Sequence, residues 1–255
     1  MPTSALIGHT GFLGGALTKQ TSFDATFNSK NIEELGGKKF DLVVCAGAPA
    51  EKWKANRAPE ADRENIERLI RAIERVDAGY VVVISTVDVF LPAIGVDEDS
   101  PVRLDGLHPY GVHRRMLEEA VAARFPSLIV RLAGLYGEGM KKNVVFDFLH
   151  NHELEKIDSR GCFQFYGVHR VWKDINTARS NGLSVVHLPT EPVTVAEVAR
   201  ESFGVAFENQ TLGTPAKYDV WTKHAKVFGG SGHYIEPRTV ELAGIKRFVE
   251  RARRT

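Results

Sequence analysis

Short apolar runs alternate with longer amphipathic segments over most of the chain. The runs at residues 4–8, 40–46, 80–84 and 127–132 are apolar almost without interruption, which is typical of strands buried on both faces of a parallel sheet. Between two of these runs, residues 60–76 carry apolar side chains at helical spacing. The alternation predicts an α/β protein in which helices cover a parallel sheet.

Other segments extend this prediction. Residues 22–28 are predicted to form a second strand, and residues 110–125 a helix that ends before Pro126. Residues 92–109 are rich in proline, glycine and aspartate, which predicts a long loop of a kind that is often functional or mobile.

The pattern loosens toward the end of the chain. Residues 183–188 predict one more strand, and Thr194 with Glu197 predicts a capping box at the start of a helix. The last segment, residues 237–255, is a basic amphipathic helix. A solvated terminal helix explains its charge better than nucleic-acid binding does, because the chain as a whole is nearly neutral.

Composition narrows the class of ligand. The chain has 255 residues, of which 43% are hydrophobic and 25% charged, and its formal net charge is +1. Since no global field attracts nucleic acid or an anionic membrane, we expect a small-molecule ligand and neither of those partners. The two cysteines lack paired spacing, which fits a reducing compartment. With neither a secretion signal nor an apolar run long enough to span a bilayer, the chain is predicted to be cytoplasmic, with Cys45 an unreactive core residue.

A glycine-rich turn follows the first predicted strand. Residues 8–14 (GHTGFLG) place Gly8, Gly11 and Gly14 in a GxxGxxG pattern. A strand, a glycine turn and a helix start allow backbone N–H groups to approach a pyrophosphate. The alternative is a tight turn that needs glycine only for a positive φ angle, but the position of this turn in an alternating chain favours a dinucleotide site.

The end of the second predicted strand bears on which dinucleotide binds. NAD-binding proteins carry an acidic residue there that binds the ribose 2′-hydroxyl, whereas this chain has Asn28, Ser29 and Lys30. Without a carboxylate the site would not repel a 2′-phosphate, and Lys30 could pair with one, so the sequence favours NADP over NAD. Asn31 and Glu34 predict a capping box for the short helix that follows.

Residues that could do chemistry follow the later strands, and ligands in open α/β sheets bind at the carboxyl ends of strands. Small residues at 46–48 would let a cofactor lie against the backbone. The hydroxyl of Thr86 is placed for chemistry at a strand end, or alternatively caps a turn. Tyr110 and Arg114 are one helical turn apart and so share a helix face, where a phenol and a fixed cation would point at the same ligand.

Taken in order, these segments resemble the extended short-chain dehydrogenase/reductase superfamily, in its NAD(P)-dependent epimerase/dehydratase group. The resemblance covers residues 4–205 and rests on the ordered motifs GHTGFLG, DLVVCAGAP, Asn65, STVDVF, HPYGVHR and RLAGLYGEG. The spacing from STVDVF to HPYGVHR is most similar to the dTDP-4-dehydrorhamnose reductase branch, which acts on a nucleotide-linked keto-sugar. The resemblance implies an α/β fold, a Rossmann-type doubly wound parallel sheet with a small C-terminal substrate lobe.

The resemblance also implies roles for individual residues. Tyr110 would be the general acid/base that exchanges a proton with the substrate oxygen during hydride transfer to or from NADP or NAD, and Thr86 would hold that oxygen. Arg114 would bind the nicotinamide ribose and favour the phenolate. The residues implied to bind the cofactor are Gly8, Thr10, Gly11, Phe12, Leu13 and Gly14, then Asn28, Ser29 and Lys30, then Ala46, Gly47 and Ala48, and finally Leu132, Ala133, Gly134 and Leu135.

Arg114 departs from the family pattern, which has lysine at this position. Tyrosine has an ordinary pKa of about 10, so a base that works near neutrality needs a nearby positive charge, which either residue supplies. Arginine, however, is planar, bulkier and effectively never deprotonated, so it relays no proton and contacts ribose hydroxyls differently.

The sequence therefore leaves alternatives open for the function. The first is an oxidoreductase or epimerase/dehydratase that acts on a nucleotide-sugar or a similar polyol or ketone. The second is an NAD(P)-binding protein with weak or no catalysis, which serves as a sensor or interaction partner. A different chemistry on the same scaffold is the third, because a fold alone does not determine function.

The remaining expectations concern the substrate and the organisation of the chain. Residues 1–137 are predicted to form the dinucleotide-binding domain, with 167–190 returning to it, while 138–166 and 191–255 form the substrate lobe. The resemblance implies a homodimer through the helices at 60–76 and 110–125. No metal is expected, because the histidines lack metal-ligand spacing. The side chains expected to contact substrate, with solvated surface as the alternative for the lysine, are Asp88, Lys141, Asn143, Gln164 and Arg170.

Overall fold

A computed structural model describes residues 3–254 of the chain. The strands within that range are β1 (Ser4–Ile7), β2 (Ala25–Phe27), β3 (Lys39–Phe40), β4 (Leu42–Cys45), β5 (Asp77–Ala78), β6 (Val81–Thr86), β7 (Ser127–Leu132), β8 (Gly134–Tyr136), β9 (Cys162–Phe163), β10 (Phe165–Gly167), β11 (Val185–His187) and β12 (Val193–Thr194). The α-helices of the same range are α1 (Phe12–Thr18), α2 (Lys52–Arg57), α3 (Pro59–Glu74), α4 (Pro109–Arg124), α5 (Val144–His150), α6 (Val171–Ser180), α7 (Val195–Val198) and α8 (Arg238–Ala252).

The main sheet has six strands in the described part of the chain, in the order β11-β7-β6-β4-β1-β2. Strand β1 pairs in parallel with β2 on one side and with β4 on the other, and β4 pairs in parallel with β6. The chain therefore reverses its direction of travel across the sheet between β1 and β4. In open sheets of this kind, ligands bind outside the carboxyl edge at that switch point. The predicted α/β, Rossmann-type fold class is confirmed.

The central strands are buried on both faces, which explains why their sequences do not alternate. In β1, β4 and β6, alternate residues belong to one hydrophobic cluster, which also contains the apolar faces of α3 and α4. The intervening residues Leu6, Val44 and Val82 are fully buried and point to the opposite face. Cys45 lies in the cluster, and burial raises the pKa of its thiol to about 11, as expected for an unreactive core cysteine. Members of the cluster include Ile7, Val43, Val81, Ile66 and Leu117.

The chain divides into two compact units. The first comprises the chain up to Leu91 with Pro101–Arg131 and Val171–Val186, and it contains most of the six-stranded sheet. The second comprises Pro92–Ser100, Leu132–Arg170 and the chain from His187 onward. Within it, β8 pairs in parallel with β10, β9 pairs antiparallel with β12, and α8 packs against β10.

The second strand is shorter than its sequence predicts. Strand β2 covers only residues 25–27 of the predicted 22–28. The side chain of Asp24 accepts hydrogen bonds from the backbone N–H and the hydroxyl of Ser4, at 2.7 and 3.0 Å. The backbone N–H of Asp24 also donates to the carbonyl of Ser4 at 3.0 Å, so the side-chain bonds add to backbone pairing just before the strand begins.

One of the two predicted capping boxes is wrong and the other is confirmed. The Asn31 side chain does not cap the turn Ile32–Leu35; its oxygen instead accepts from the backbone N–H of Asn28 at 2.7 Å. Thr194 and Glu197 form a complete reciprocal box at the start of α7. Asparagine side chains readily bond to nearby turn backbone, and this competing bond is the reason for the failure at Asn31.

Candidate active site

The glycine turn after β1 is closely packed against the neighbouring strand end. Gly8 has a φ angle of +90°, and a Cβ atom there would overlap with the carbonyl group of Ala46, just after β4. A Cβ atom at Gly14, in the first turn of α1, would overlap with the carbonyl group of Gly8. The fold itself requires these two glycines. Without side chains, they allow the turn after β1 to pack directly against the end of β4 and the start of α1.

The third glycine of the motif has more room. Gly11 begins α1, and a Cβ atom there would meet only the Gly8 oxygen, at 3.3 Å. The first N–H groups of any helix lack intrahelical partners, and no side chain caps this helix within the described residues. The arrangement fits the backbone-lined turn that a dinucleotide pyrophosphate needs. Around it, Thr10 is exposed, Phe12 is half-buried and Leu13 is buried.

The end of β2 is a turn with two cations, one of which is paired with a carboxylate. The backbone N–H of Lys30 donates to the side-chain oxygen of Asn28 at 2.8 Å, which leaves the Lys30 side chain exposed. Arg68 of α3 donates to the carbonyl of Ser29 at 3.0 Å and pairs with Glu33 at 2.9 Å. Sequence analysis missed Arg68, because α3 brings it to this turn from 39 positions away.

Three elements hold Tyr110 at the carboxyl end of β6. His108 caps α4, with its Nδ1 accepting from the backbone N–H of Gly111 at 3.0 Å. The backbone N–H of Tyr110 donates to the side chain of Asn56 at 3.0 Å. A Cβ atom at Gly111 would overlap with the carbonyl oxygen of Asp88. The start of α4 is therefore packed directly onto the turn that follows β6, and Tyr110 is 8% exposed.

The charges around Tyr110 oppose one another. On balance the pKa of the Tyr110 phenol is raised, because burial outweighs the nearby Arg114 charge, which lowers it. Asp88 raises this pKa further, and hydrogen bonding to Thr86 and the charge of Lys52 lower it. Thr86 also accepts from the backbone N–H of Asp88 at 3.1 Å, so it caps a turn and lies beside the phenol at once. The capping role that the sequence offered for Thr86 is confirmed, and its role in chemistry remains a prediction. A hydroxyl and a cation thus lie beside a phenol whose pKa burial keeps above its ordinary value.

The structure places Arg114 differently from a simple substitute for lysine. Its guanidinium carbon lies 4.0 Å from the centre of the Tyr110 ring, so the cation covers the ring face. The same guanidinium pairs with Asp62 of α3 and donates to the carbonyl of Pro49. Arg114 is 2% exposed, and among residues 3–254 its Nε finds no hydrogen-bond acceptor. His113 also contacts Asp62, at 2.7 Å.

A second charged network lies on the same helix. Glu118 accepts from the hydroxyl of Ser85 at 2.5 Å and from two nitrogens of Arg131 at 2.9 and 2.6 Å. Ser85, the neighbour of Thr86, is therefore bound to α4 and is occupied structurally. Arg115 pairs with Glu118 and Glu119, away from Tyr110.

A lysine that the sequence analysis did not single out lies beside the site. The Lys52 ammonium, at the start of α2, is 2.7 Å from the carboxylate of Asp88, the residue expected to contact substrate. Lys52 and Asp88 also act on His108, whose pKa is lowered first by burial and then by Lys52. The sequence indicated a role for Lys52 only through its position after the carboxyl end of β4.

The other residues expected to contact substrate belong to the second unit. The side chain of Asn143 caps α5 and donates to the Leu135 carbonyl at 2.7 Å. The buried amide of Gln164 bonds to the backbone of Thr190 and Val220. Both side-chain amides therefore form hydrogen bonds that stabilise this unit, and their contact with substrate remains a prediction.

The other residues of the second unit that were expected to contact substrate or cofactor differ in their exposure and in their partners. Arg170 pairs with Glu236, and Lys141 is exposed. Leu132 is buried at the end of β7, and the three residues after it, Ala133, Gly134 and Leu135, are partly or fully exposed.

Two further observations concern metal ligands and membrane spans in the described residues, 3–254. This part of the chain has no group of three or more histidine, cysteine or carboxylate side chains that could hold a metal ion. Nor does it contain a helix both long and apolar enough to cross a membrane.

Comparisons with known proteins extend the description. No family model matches the sequence, and no curated protein is significantly similar to it. Among solved structures, UDP-glucose 4-epimerase from Thermotoga maritima, in complex with UDP-glucose, is 17% identical with a TM-score of 0.75 over 99% of both chains. A dTDP-4-dehydrorhamnose reductase from Clostridium acetobutylicum is 18% identical, with a TM-score of 0.73 over 98% of this chain and 99% of that one.

An NAD-dependent NDP-hexosamine 5,6-dehydratase involved in tunicamycin biosynthesis is 19% identical, with a TM-score of 0.70 over 98% of this chain and 96% of that one. The three activities differ, and at these identities the shared feature is the fold. The chain therefore has the Rossmann-type fold of these three structures, as its motifs predicted.

Proposed function

We propose that this protein is an NAD(P)-dependent oxidoreductase or epimerase/dehydratase that acts on a nucleotide-sugar or a similar polyol or ketone. The observation that carries the proposal is the setting of Tyr110, which is buried next to Thr86, beneath the Arg114 guanidinium, at the carboxyl end of β6. The fold neighbours, which include an epimerase bound to UDP-glucose and an NAD-dependent dehydratase, support the substrate class and the cofactor class.

The residues of the glycine turn fit a dinucleotide. Gly8 and Gly14 keep side chains away from the switch point, and no side chain caps the first N–H groups of α1 within the described residues. When bound, a nicotinamide cofactor supplies or accepts the hydride. We further propose NADP over NAD, since Lys30 and Arg68 both lie at the end of β2 and position 28 is an asparagine where NAD-binding proteins carry a carboxylate.

The residues of the chain would handle the proton. In the reducing direction, the Tyr110 hydroxyl would donate its proton to the substrate carbonyl oxygen, which becomes the oxygen of an alcohol, and the bound cofactor would supply the hydride that the carbonyl carbon takes up. Thr86 orients that oxygen by a hydrogen bond, and Arg114 stabilises the phenolate that remains. Solvent then returns a proton to Tyr110, and the oxidising direction reverses each step.

One observation favours a second candidate, a dinucleotide-binding protein with weak or no catalysis. Asp62 and the carbonyl of Pro49 hold the Arg114 guanidinium, so this cation is not available to ribose hydroxyls without breaking a buried ion pair. A protein of this kind would bind the cofactor and act as a sensor or interaction partner.

Two experiments separate the candidates. Titration with NAD, NADH, NADP and NADPH, followed by nicotinamide fluorescence, should show binding, tighter for the phosphorylated pair, and binding of none of the four would overturn both candidates. A panel of sugar nucleotides and simple ketones should then reveal turnover. With any substrate found, Tyr110→Phe should reduce hydride transfer by at least about a hundredfold with cofactor affinity retained. An unchanged rate would remove Tyr110 from the mechanism, and tight binding without turnover of any compound would favour the second candidate.

A further inference from the structure

The cation that covers Tyr110 is immobile. Arg114 is 2% exposed, and its guanidinium is shared between Asp62 and the carbonyl of Pro49. Moving it toward a ligand would break the buried ion pair with Asp62, which is costly even though His113 still contacts that carboxylate at 2.7 Å. Any cation that meets a ligand beside Tyr110 must therefore come from another residue.

Lys52 has the properties that Arg114 lacks. It begins α2, shortly after the carboxyl end of β4, and its side chain is 35% exposed. Its ammonium lies 2.7 Å from the carboxylate of Asp88, which is 17% exposed. A lysine ammonium has three donors on a flexible stem, so it can rotate from one acceptor to another, whereas an arginine held at two sites cannot.

Asp88 is in turn fixed against Tyr110. Its backbone N–H donates to the Thr86 hydroxyl at 3.1 Å, and its carbonyl oxygen lies so close to Gly111 that a Cβ atom there would overlap with it. Tyr110 is the residue before Gly111. Asp88 therefore lies on the turn that is packed against the start of α4, and the charges of Asp88 and Lys52 act on the pKa of Tyr110 in opposite directions.

We propose that Lys52 is the exchangeable cation of this site. It moves from Asp88 to the ligand oxygen on which Tyr110 acts, a movement that the buried Arg114 cannot make. The ligand class is an oxygen-bearing one, a ketone or alcohol that develops negative charge during proton transfer. Lys52 stays protonated throughout, since the transferred proton passes between the Tyr110 hydroxyl and the ligand oxygen. The inference rests on the proposed function in one respect, that Tyr110 exchanges a proton with a ligand.

Nuclear magnetic resonance tests the placement of the two charges without any ligand. Tyrosine labelled with carbon-13 at Cζ reports the ionisation of each phenol, and the signal of Tyr110 is identified by its loss in Tyr110→Phe. Lys52→Gln should move the onset of Tyr110 ionisation to higher pH, and Asp88→Asn should move it to lower pH. Opposite shifts cannot arise from general loosening of the fold. An unchanged onset in both variants, or shifts of the same sign, would overturn the inference.

Lys54 provides a matched control on the same helix. It pairs with Glu51 and is 56% exposed, so Lys54→Gln should leave the Tyr110 signal and any catalytic rate unchanged. With a substrate identified, Lys52→Gln should lower kcat about tenfold and shift the pH profile, while Lys52→Arg should recover part of the rate. A rate for Lys52→Gln equal to that of Lys54→Gln would also overturn the inference.

The failure of this inference differs from the failure of the proposed function. If no nicotinamide nucleotide binds but the two Tyr110 shifts occur with opposite sign, the proposed function fails and the placement of the charges stands. If nicotinamide binds and Tyr110→Phe loses activity, but Lys52→Gln changes neither the Tyr110 signal nor the rate, only the role of Lys52 fails.

Discussion

The buried pair of Asp62 and Arg114 should be a main determinant of the stability of the first unit. Asp62 accepts from Arg114 and contacts His113 at 2.7 Å, and the side chains of both Asp62 and Arg114 are at most 5% exposed. In Asp62→Asn the guanidinium would keep only neutral oxygens as partners, the carbonyl of Pro49 and that of Tyr110 at 3.4 Å. The variant would thus leave a buried positive charge without a counterion.

The expected cost follows from these contacts. Hydrogen bonds to charged groups are worth about 1.5–3 kcal/mol each, and loss of one partner of a buried ion pair typically costs about 3–5 kcal/mol. Because asparagine keeps one oxygen acceptor, we expect Asp62→Asn to lower the free energy of unfolding by about 3 kcal/mol. Urea unfolding followed by circular dichroism measures the change from the midpoint and the slope.

A double-mutant cycle makes the reasoning specific. Arg114→Met removes the stranded charge, so Asp62→Asn combined with Arg114→Met should be less destabilised than the sum of the single variants, by at least about 1 kcal/mol. Glu67→Gln, which removes a partly exposed partner of Arg63 and Arg71 on the same helix, should change the midpoint little. Additive effects, or a cost for Asp62→Asn below about 1 kcal/mol, would refute the role assigned to this pair.

Two further predictions concern other parts of the chain. Gly14→Ala should abolish nicotinamide binding, since its Cβ would overlap with the Gly8 carbonyl, whereas Gly15→Ala, whose nearest neighbour would be 3.9 Å away, should bind normally in the same fluorescence titration; equal affinities would contradict the packing argument. Glu241 is 1% exposed, and within residues 3–254 no group donates to its Oε1. Burial raises its pKa well above the usual value, so the folded protein retains this proton after the unfolded chain has lost it. The free energy of unfolding should therefore fall as pH rises above the ordinary glutamate pKa of about 4.3. Glu241→Gln should flatten that decline in urea midpoints measured across pH, and parallel pH profiles would contradict it.

The sequence alone determined the features that depend on local chemistry. The central strands were predictable because burial on both faces leaves no polar position in them. The turn at Gly8 was predictable because a positive φ angle and close packing both require glycine there. The position of Tyr110 at a helix start after a proline-rich loop was also evident, along with the substitution at position 114.

Only the tertiary structure decided which polar and charged groups meet. Asp62 and Arg114 are 52 positions apart, Lys52 and Asp88 are 36 apart, and Ser85 and Glu118 are 33 apart. Each pair forms because helices packed on one side of the sheet, or at its carboxyl edge, bring together residues whose sequence neighbourhoods carry no sign of the contact. Charged residues near helix ends are ordinarily solvated, so no local pattern distinguishes a buried partner from a surface one. The sequence thus predicted the cation near Tyr110, and the packing of α3 against α4 determined that this cation is bound to Asp62.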